Sequence, residues 1–369
     1  MKEKISRIYF GSLLVISLSA ILSITGSVAE AQRQPSKEDA AQKVAKEDPK
    51  TPATAKPPES FHEDWSTITL ENSTFDPQPP VLGQKDNVPD NKFTRELLQV
   101  RWRSDDPIDL YVVRPKGVQK PPVILVLFSF PHDTDKFKDD HWCDAATAKG
   151  YAVVGFVSAL TGHRAEHRAP KDWFVSELQQ ALASSVHDVQ MVLNYLTTRG
   201  DLDMSRVGMF GQGSGGSIAI MASAADARIR AVDVLTPWGD WPNWMAKTRI
   251  VPQDERARYL MPQFLTRVEP LEPVKWLPKV KAKAIRIENI RQDSNVPDIC
   301  QEHIEAAAPE IAEINQFGDY KAAIPVIAAT VFDWIKGQLQ PSVEQAANAT
   351  EKEKSQRIHY YPPAESSTP

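Results

Sequence analysis

Four continuous apolar runs constrain this chain more than any other feature: "PPVILVLFSF" from Pro121, "YAVVGFV" from Tyr151, "RVGMFG" from Arg206 and "IRAVDVLTP" from Ile229. A strand that alternates polar and apolar residues can face water on one side; strands as uniformly apolar as these must be covered on both faces, which is the pattern of a parallel sheet between layers of helices. A long helical stretch separates the second run from the third, with Val175, Leu178, Leu182, Val186, Val189, Leu193 and Leu196 at three-to-four spacing. Upstream, "LLQVRWRS" and "IDLYVVRP" flank a short "DDP" turn and predict an antiparallel hairpin. Downstream, "AKAIRIENI" and "PEIAEINQF" predict two more strands, and Ile324 to Leu339 a closing helix. The implied fold is α/β, a mostly parallel central sheet with an N-terminal antiparallel hairpin and helices on both faces. In such sheets the functional side chains sit in loops beyond the carboxyl ends of the strands.

The ends of the chain read differently. Lys2, Lys4 and Arg7 precede an apolar run from Ile8 to Val28 and the small-residue motif "AEA", the order of a secretory signal over residues 1–31. A secreted or periplasmic protein is therefore expected, and a membrane contact only if that segment stays uncleaved. Residues 32–60 are rich in Lys, Ala, Glu and Pro and predict a flexible linker; residues 341–369 predict a disordered tail; residues 61–340 form the domain. The net charge of -5 over 369 residues gives no nucleic-acid footprint, and two cysteines, Cys143 and Cys300, exclude a disulfide scaffold.

The candidate chemistry begins at "FGQGSGGS", Phe210 to Ser217, where a strand runs into a glycine-rich turn and a helix of small residues. With "SRVGMFGQGSGGSIAIMAS", the late "RQDSNVP" and the terminal "FDWIKGQL", the chain resembles the α/β-hydrolases of the dienelactone hydrolase and prolyl oligopeptidase-like group from Leu97 to Leu339. The resemblance implies a G-x-S-x-G nucleophile elbow, an acid after a late strand and a histidine before the last helix. Counted from the strand, Gly211, Gly213 and Gly215 occupy the elbow, so Gly213 stands at the nucleophile and Ser214 follows it. A rival register makes Ser214 the nucleophile.

The same resemblance assigns Asp293, in "RQDSNVP", to the triad acid, although an aspartate there also serves to close a turn. At the histidine position the sequence reads "NQFGDYKAA", with Asp319 after Gly318. A carboxylate of ordinary pKa is a poor proton acceptor from a serine. His132, in the loop after the first apolar run, is the replacement base that position favours, and His163 and His167 are weaker candidates for the same role. Trp238, Trp241 and Trp244, within an insertion over about 238–278, either line a ligand pocket or pack a lid. No metal or cofactor is implied. The expectation is a ligand-binding homologue, non-catalytic or weakly active, for a small ester, acyl or peptide-like molecule; the alternative is a serine esterase or peptidase using Ser214, Asp293 and His132.

Overall fold

The computed structural model describes residues 61–86, 90–103, 106–132, 134–160, 164, 173–340 and 358–364, with side chains in the 173–340 stretch from residue 178 onward. The leader, the linker, His163 and His167 lie outside these residues.

The apolar runs become the centre of a ten-stranded sheet in the order β1-β2-β3-β5-β4-β6-β7-β8-β9-β10. β4 (Pro122–Leu127), β5 (Ala152–Phe156), β6 (Asp203–Gln212) and β7 (Ile229–Leu235) pair in parallel, followed by β8 (Ala284–Ile290) and β9 (Ala312–Phe317). The predicted hairpin is β2 (Phe93–Arg101) against β3 (Ile108–Pro115), antiparallel, and β3 joins the parallel strands through an antiparallel pairing with β5.

Helices cover both faces, which is why the strands carry no polar side. α2 (Trp173–Thr198) and α3 (Ser214–Ala225) pack into one core with Val123, Leu125, Val232 and Val234. α1 (Asp140–Thr147) and α5 (Tyr320–Gln338) pack into the other with Ile124, Val126, Ala231 and Leu235. α4 (Asp298–Ala307) belongs to the first core through Cys300 and Ile304. Cys143 and Cys300 therefore sit in separate cores on opposite faces of the sheet; both are free, and burial pushes each thiol up to about 12.

Two strands were not predicted. β1 (Gln78–Asp86) adds to β2 at one edge, antiparallel and with two register shifts. β10 (Ile358–Tyr361) lies parallel to β9 at the other edge, so the expectation of a wholly disordered tail is corrected at these residues. The pairing is held by more than backbone: Tyr361 stacks on Phe317 at 4.7 Å, and its carbonyl accepts from Gly318 N–H at 2.8 Å. The tryptophan-rich insertion is likewise more regular than predicted. It contains short helices at Trp241–Lys247, Arg256–Tyr259, Pro262–Val268 and Pro273–Trp276, three of them following the helix-start signal of an early proline.

Candidate active site

The elbow forms as a strand-to-helix turn at the carboxyl end of β6. Gly213, between β6 and α3, has φ 52° and ψ -116°, a conformation that residues with a side chain adopt only under strain. Close approach explains the flanking glycines: a β-carbon on Gly211 would lie 2.3 Å from Gly215 O, and one on Gly215 2.4 Å from Leu127 O. The strained residue of the turn is thus Gly213, the residue the count from the strand put there, and Ser214 is the first residue of α3.

The hydroxyl of Ser214 turns inward. The residue is fully buried, and Phe130 N–H donates to its Oγ at 2.8 Å. Phe130 belongs to the loop after β4. One of that loop's N–H groups is therefore already engaged by Ser214.

In front of the elbow lies a small open cleft of about 60 Å³, lined by Ser129, His132, Gln212, Gly213, Trp238, Asp293, Asn295 and Tyr320, among others. Of the residues singled out in the sequence, it brings together Gly213, Asp293, His132 and Trp238 and leaves out the Ser214 hydroxyl, Trp241 and Trp244. Ser129 takes the space that a side chain at residue 213 would need: a β-carbon on Gly213 would lie 2.1 Å from Ser129 Oγ and 3.3 Å from Trp238 Nε1.

Asp293 lies in the loop after β8, and its carboxylate is anchored on both oxygens. Asn295 N–H donates to Oδ1 at 2.8 Å, the turn-closing role, and the Tyr320 hydroxyl donates to Oδ2 at 2.8 Å. Burial raises the Asp293 pKa above the usual carboxylate range, while these hydrogen bonds oppose the rise. Tyr320, like Ser129, Gln212 and Asn295, is a cleft residue that sequence reasoning missed. Attention fell on Asp319, which instead caps α5, accepting from Ala322 N–H at 2.7 Å. The next residue then points its ring at the acid and meets it where a histidine was expected. The signal was present as a tyrosine one place after the expected position, but only the turn of the loop shows which of the two faces the cleft.

His132 is half-buried, and burial lowers its pKa, which favours the neutral imidazole. Its ring makes no hydrogen bond among the described residues, so no carboxylate orients it. The three tryptophans are all buried. Trp238 faces the cleft and packs on Trp244 at 4.5 Å between ring centroids; Trp244 and Trp241 donate their indole N–H groups to Asn295 O at 2.9 Å and Leu271 O at 3.0 Å. Of the two expected roles, lining a pocket fits Trp238 and packing a lid fits Trp244. Trp241 instead borders a separate open groove of about 360 Å³ with Pro262 and Leu265. No group of three or more His, Cys, Asp or Glu among the described residues is placed to hold a metal ion.

A mostly parallel sheet covered on both faces, a glycine elbow at the end of β6 and an acid after β8 define the α/β-hydrolase fold. Residues 108–243 match the family model described as the dienelactone hydrolase family. Solved structures similar to it include an acetyl xylan esterase from Paenibacillus sp. R4, at 17% identity and TM-score 0.58, covering 74% of this chain and 90% of that one. An acetyl xylan esterase from Thermoanaerobacterium sp. JW/SL YS485 matches at 16% identity and TM-score 0.53, covering 66% and 82%. An acylaminoacyl peptidase from Pyrococcus horikoshii matches at 13% identity and TM-score 0.53, covering 75% of this chain and 52% of that one. No curated protein sequence matches the chain.

Proposed function

We propose that this chain binds a small ester, acyl or peptide-like molecule in the cleft before Gly213 and does not turn it over at the elbow. The observation that carries the reading is the Gly213 position itself: the turn is kept, no side chain is there to attack, and Ser129 Oγ lies 2.1 Å from where its β-carbon would be. That no imidazole among the described residues hydrogen-bonds Asp293 supports it further. Tyr320 holds Asp293, but a phenol of ordinary pKa near 10, raised further here by burial and by the Asp293 charge, is no proton acceptor near neutrality. The ligand class rests on the family match and on the similar proteins, whose names are those of esterases and an acylaminoacyl peptidase. The cleft offers Gln212 and Asn295 amides to fix a carbonyl and Trp238 as an apolar wall.

The second reading, hydrolysis by Ser214 with Asp293 and His132, keeps the support that Asp293 and His132 line the same cleft. It requires Ser214 Oγ to leave Phe130 N–H and turn outward. Export by residues 1–31 is part of the proposal and rests on their sequence; N-terminal sequencing of protein from the extracytoplasmic fraction should begin near Gln32.

The test is catalytic turnover beside equilibrium binding. Short-chain nitrophenyl esters should give no more than about one equivalent of product per chain, and non-hydrolysable acyl amides should shift the melting temperature saturably. Sustained turnover that disappears in Ser214→Ala overturns the first reading in favour of the second. Absence of saturable binding overturns it without that alternative.

A further inference from the structure

We propose that Ser129 is an acyl acceptor: in the cleft assigned above to an acyl ligand, a reading on which this inference rests, its hydroxyl takes an acyl group and holds it as a serine ester. Three observations place the chemistry there. Ser129 Oγ lies 2.1 Å, and its Cβ 2.8 Å, from the point where a β-carbon of residue 213 would stand, so the hydroxyl occupies the region in front of the elbow that a serine at 213 would use. Ser129 lines the cleft and its side-chain hydroxyl makes no hydrogen bond among the described residues, whereas the hydroxyl of Ser214 is buried and engaged. His132 lines the same cleft one turn further on, its N–H donating to Ser129 O at 2.8 Å, with the imidazole in its neutral, proton-accepting form favoured by burial.

The step balances without a further reactant. Ser129 Oγ bonds to the carbonyl carbon of an ester, and His132 accepts the hydroxyl proton. The carbonyl oxygen gains charge beside the first turn of α3, whose leading N–H groups have no acceptor within the helix. As the carbonyl re-forms, the carbon–oxygen bond to the alcohol breaks, and the proton on His132 leaves with the alkoxide. The products are an O-acyl serine and a free alcohol.

Release of the acyl group by water is the slower half. Its leaving group is the serine alkoxide, far more basic than a nitrophenoxide, and the imidazolium that would protonate it has no carboxylate partner because Asp293 is held by Tyr320. With an activated ester the protein therefore loads once and stops. The geometry thus points to stoichiometric acyl capture.

The experiment treats the full chain with a fluorophosphonate probe and, separately, with nitrophenyl acetate, followed by intact-mass measurement and peptide mapping. One adduct per chain on the peptide carrying Ser129, absent in Ser129→Ala and formed about 100-fold more slowly in His132→Gln, is the expected result. No adduct, an adduct on Ser214 or elsewhere, or an unchanged rate in His132→Gln overturns the assignment. Acyl-amide binding to Ser129→Ala, read from the thermal shift, separates the two levels. A variant and wild type that both bind, with no adduct on wild type, remove Ser129 as acceptor and leave the binding reading standing. Loss of binding in wild type removes both.

Discussion

Tyr320 has a single hydroxyl proton and donates it to Asp293 Oδ2, so toward the cleft its oxygen can only accept. Removing that hydroxyl has a readable consequence. In Tyr320→Phe the carboxylate loses one of the hydrogen bonds that oppose the effect of burial, so the Asp293 pKa should rise further, measurable by carbon-13 titration of its side-chain carboxyl. The buried acceptor left without its donor should cost about 1–3 kcal/mol in urea unfolding. An unmoved or lowered Asp293 titration would show that the hydroxyl does not stabilise the carboxylate. At Gly213 the prediction runs against simple repair. A serine there meets Ser129 Oγ and must hold φ 52°, so Gly213→Ser should lose about 1–3 kcal/mol and gain no turnover, since among the described residues no imidazole hydrogen-bonds Asp293. Adding Ser129→Ala relieves the clash but not the backbone strain. The double variant should therefore recover part of the loss, a non-additivity that unfolding curves of the two singles and the double will reveal.

At the scale of elements, what could be read in advance follows from what each segment buries. β4, β5, β6 and β7 are covered on both faces, so their sequences carry the uninterrupted apolar signal, and each expected run overlaps its strand while the ends shift. β1 is exposed along most of its length and opens with Pro79 and Pro80, so it carries neither alternation nor an apolar run; only pairing with β2 makes it a strand. β10 is four residues in a polar stretch, ordered by Tyr361 on Phe317, a contact between residues far apart in sequence. The site divides the same way. The elbow was legible because its glycines are dictated locally by sterics, and Asp293 because its loop matches a pattern. Tyr320 was not, because its role depends on which way one loop turns toward another. β10 carries its own prediction, since it also covers the loop leading to Tyr320: a β-carbon on Gly318 would lie 2.4 Å from Pro363 Cδ. Truncation after residue 357 should speed hydrogen exchange at the Gly318 amide, now bonded to Tyr361 O, by at least tenfold while leaving the β4 and β6 amides protected. Equal protection in both forms would mean that the strand contributes nothing to that loop.

Across the whole molecule, one buried ionic network fastens the first described residues to the rest. Arg103 donates to both oxygens of Glu63 at 2.6 Å and to Asp188 Oδ1 at 2.5 Å; Arg164 reaches Asp188 Oδ2 at 2.8 Å and pairs with Asp106; Trp102 Nε1 donates to Asp188 Oδ1 at 3.0 Å. His187 closes the group, with Nδ1 2.7 Å from Glu63 Oε1. Glu63 precedes the sheet, Arg103 follows β2 and Asp188 lies on α2, so these charges join three parts of the chain. Burial alone would raise the Glu63 pKa, but hydrogen bonds and charge from Arg103 and His187 outweigh it and bring the carboxyl down to about 2. An acid with a depressed folded pKa stabilises the fold fully above its unfolded value, near 4.3, and loses that contribution as pH falls toward the folded value. For Glu63 the loss amounts to something on the order of 3 kcal/mol between about pH 4.3 and 2. Asp233, Glu272, Glu288 and Asp293 run the other way: burial raises their pKa, so their protonation favours the folded state as pH falls from neutrality. The wild-type melting temperature should therefore hold or rise slightly on mild acidification and then drop steeply below about pH 4.3. Glu63→Gln leaves Arg103 with one carboxylate fewer in a buried site, so it should be about 3–5 kcal/mol less stable at pH 7. Its acid limb should also be shallower, because the titrating group is gone. Melting curves of the two proteins that stay parallel from pH 7 to 2 would show that Glu63 does not set the acid limit of this fold.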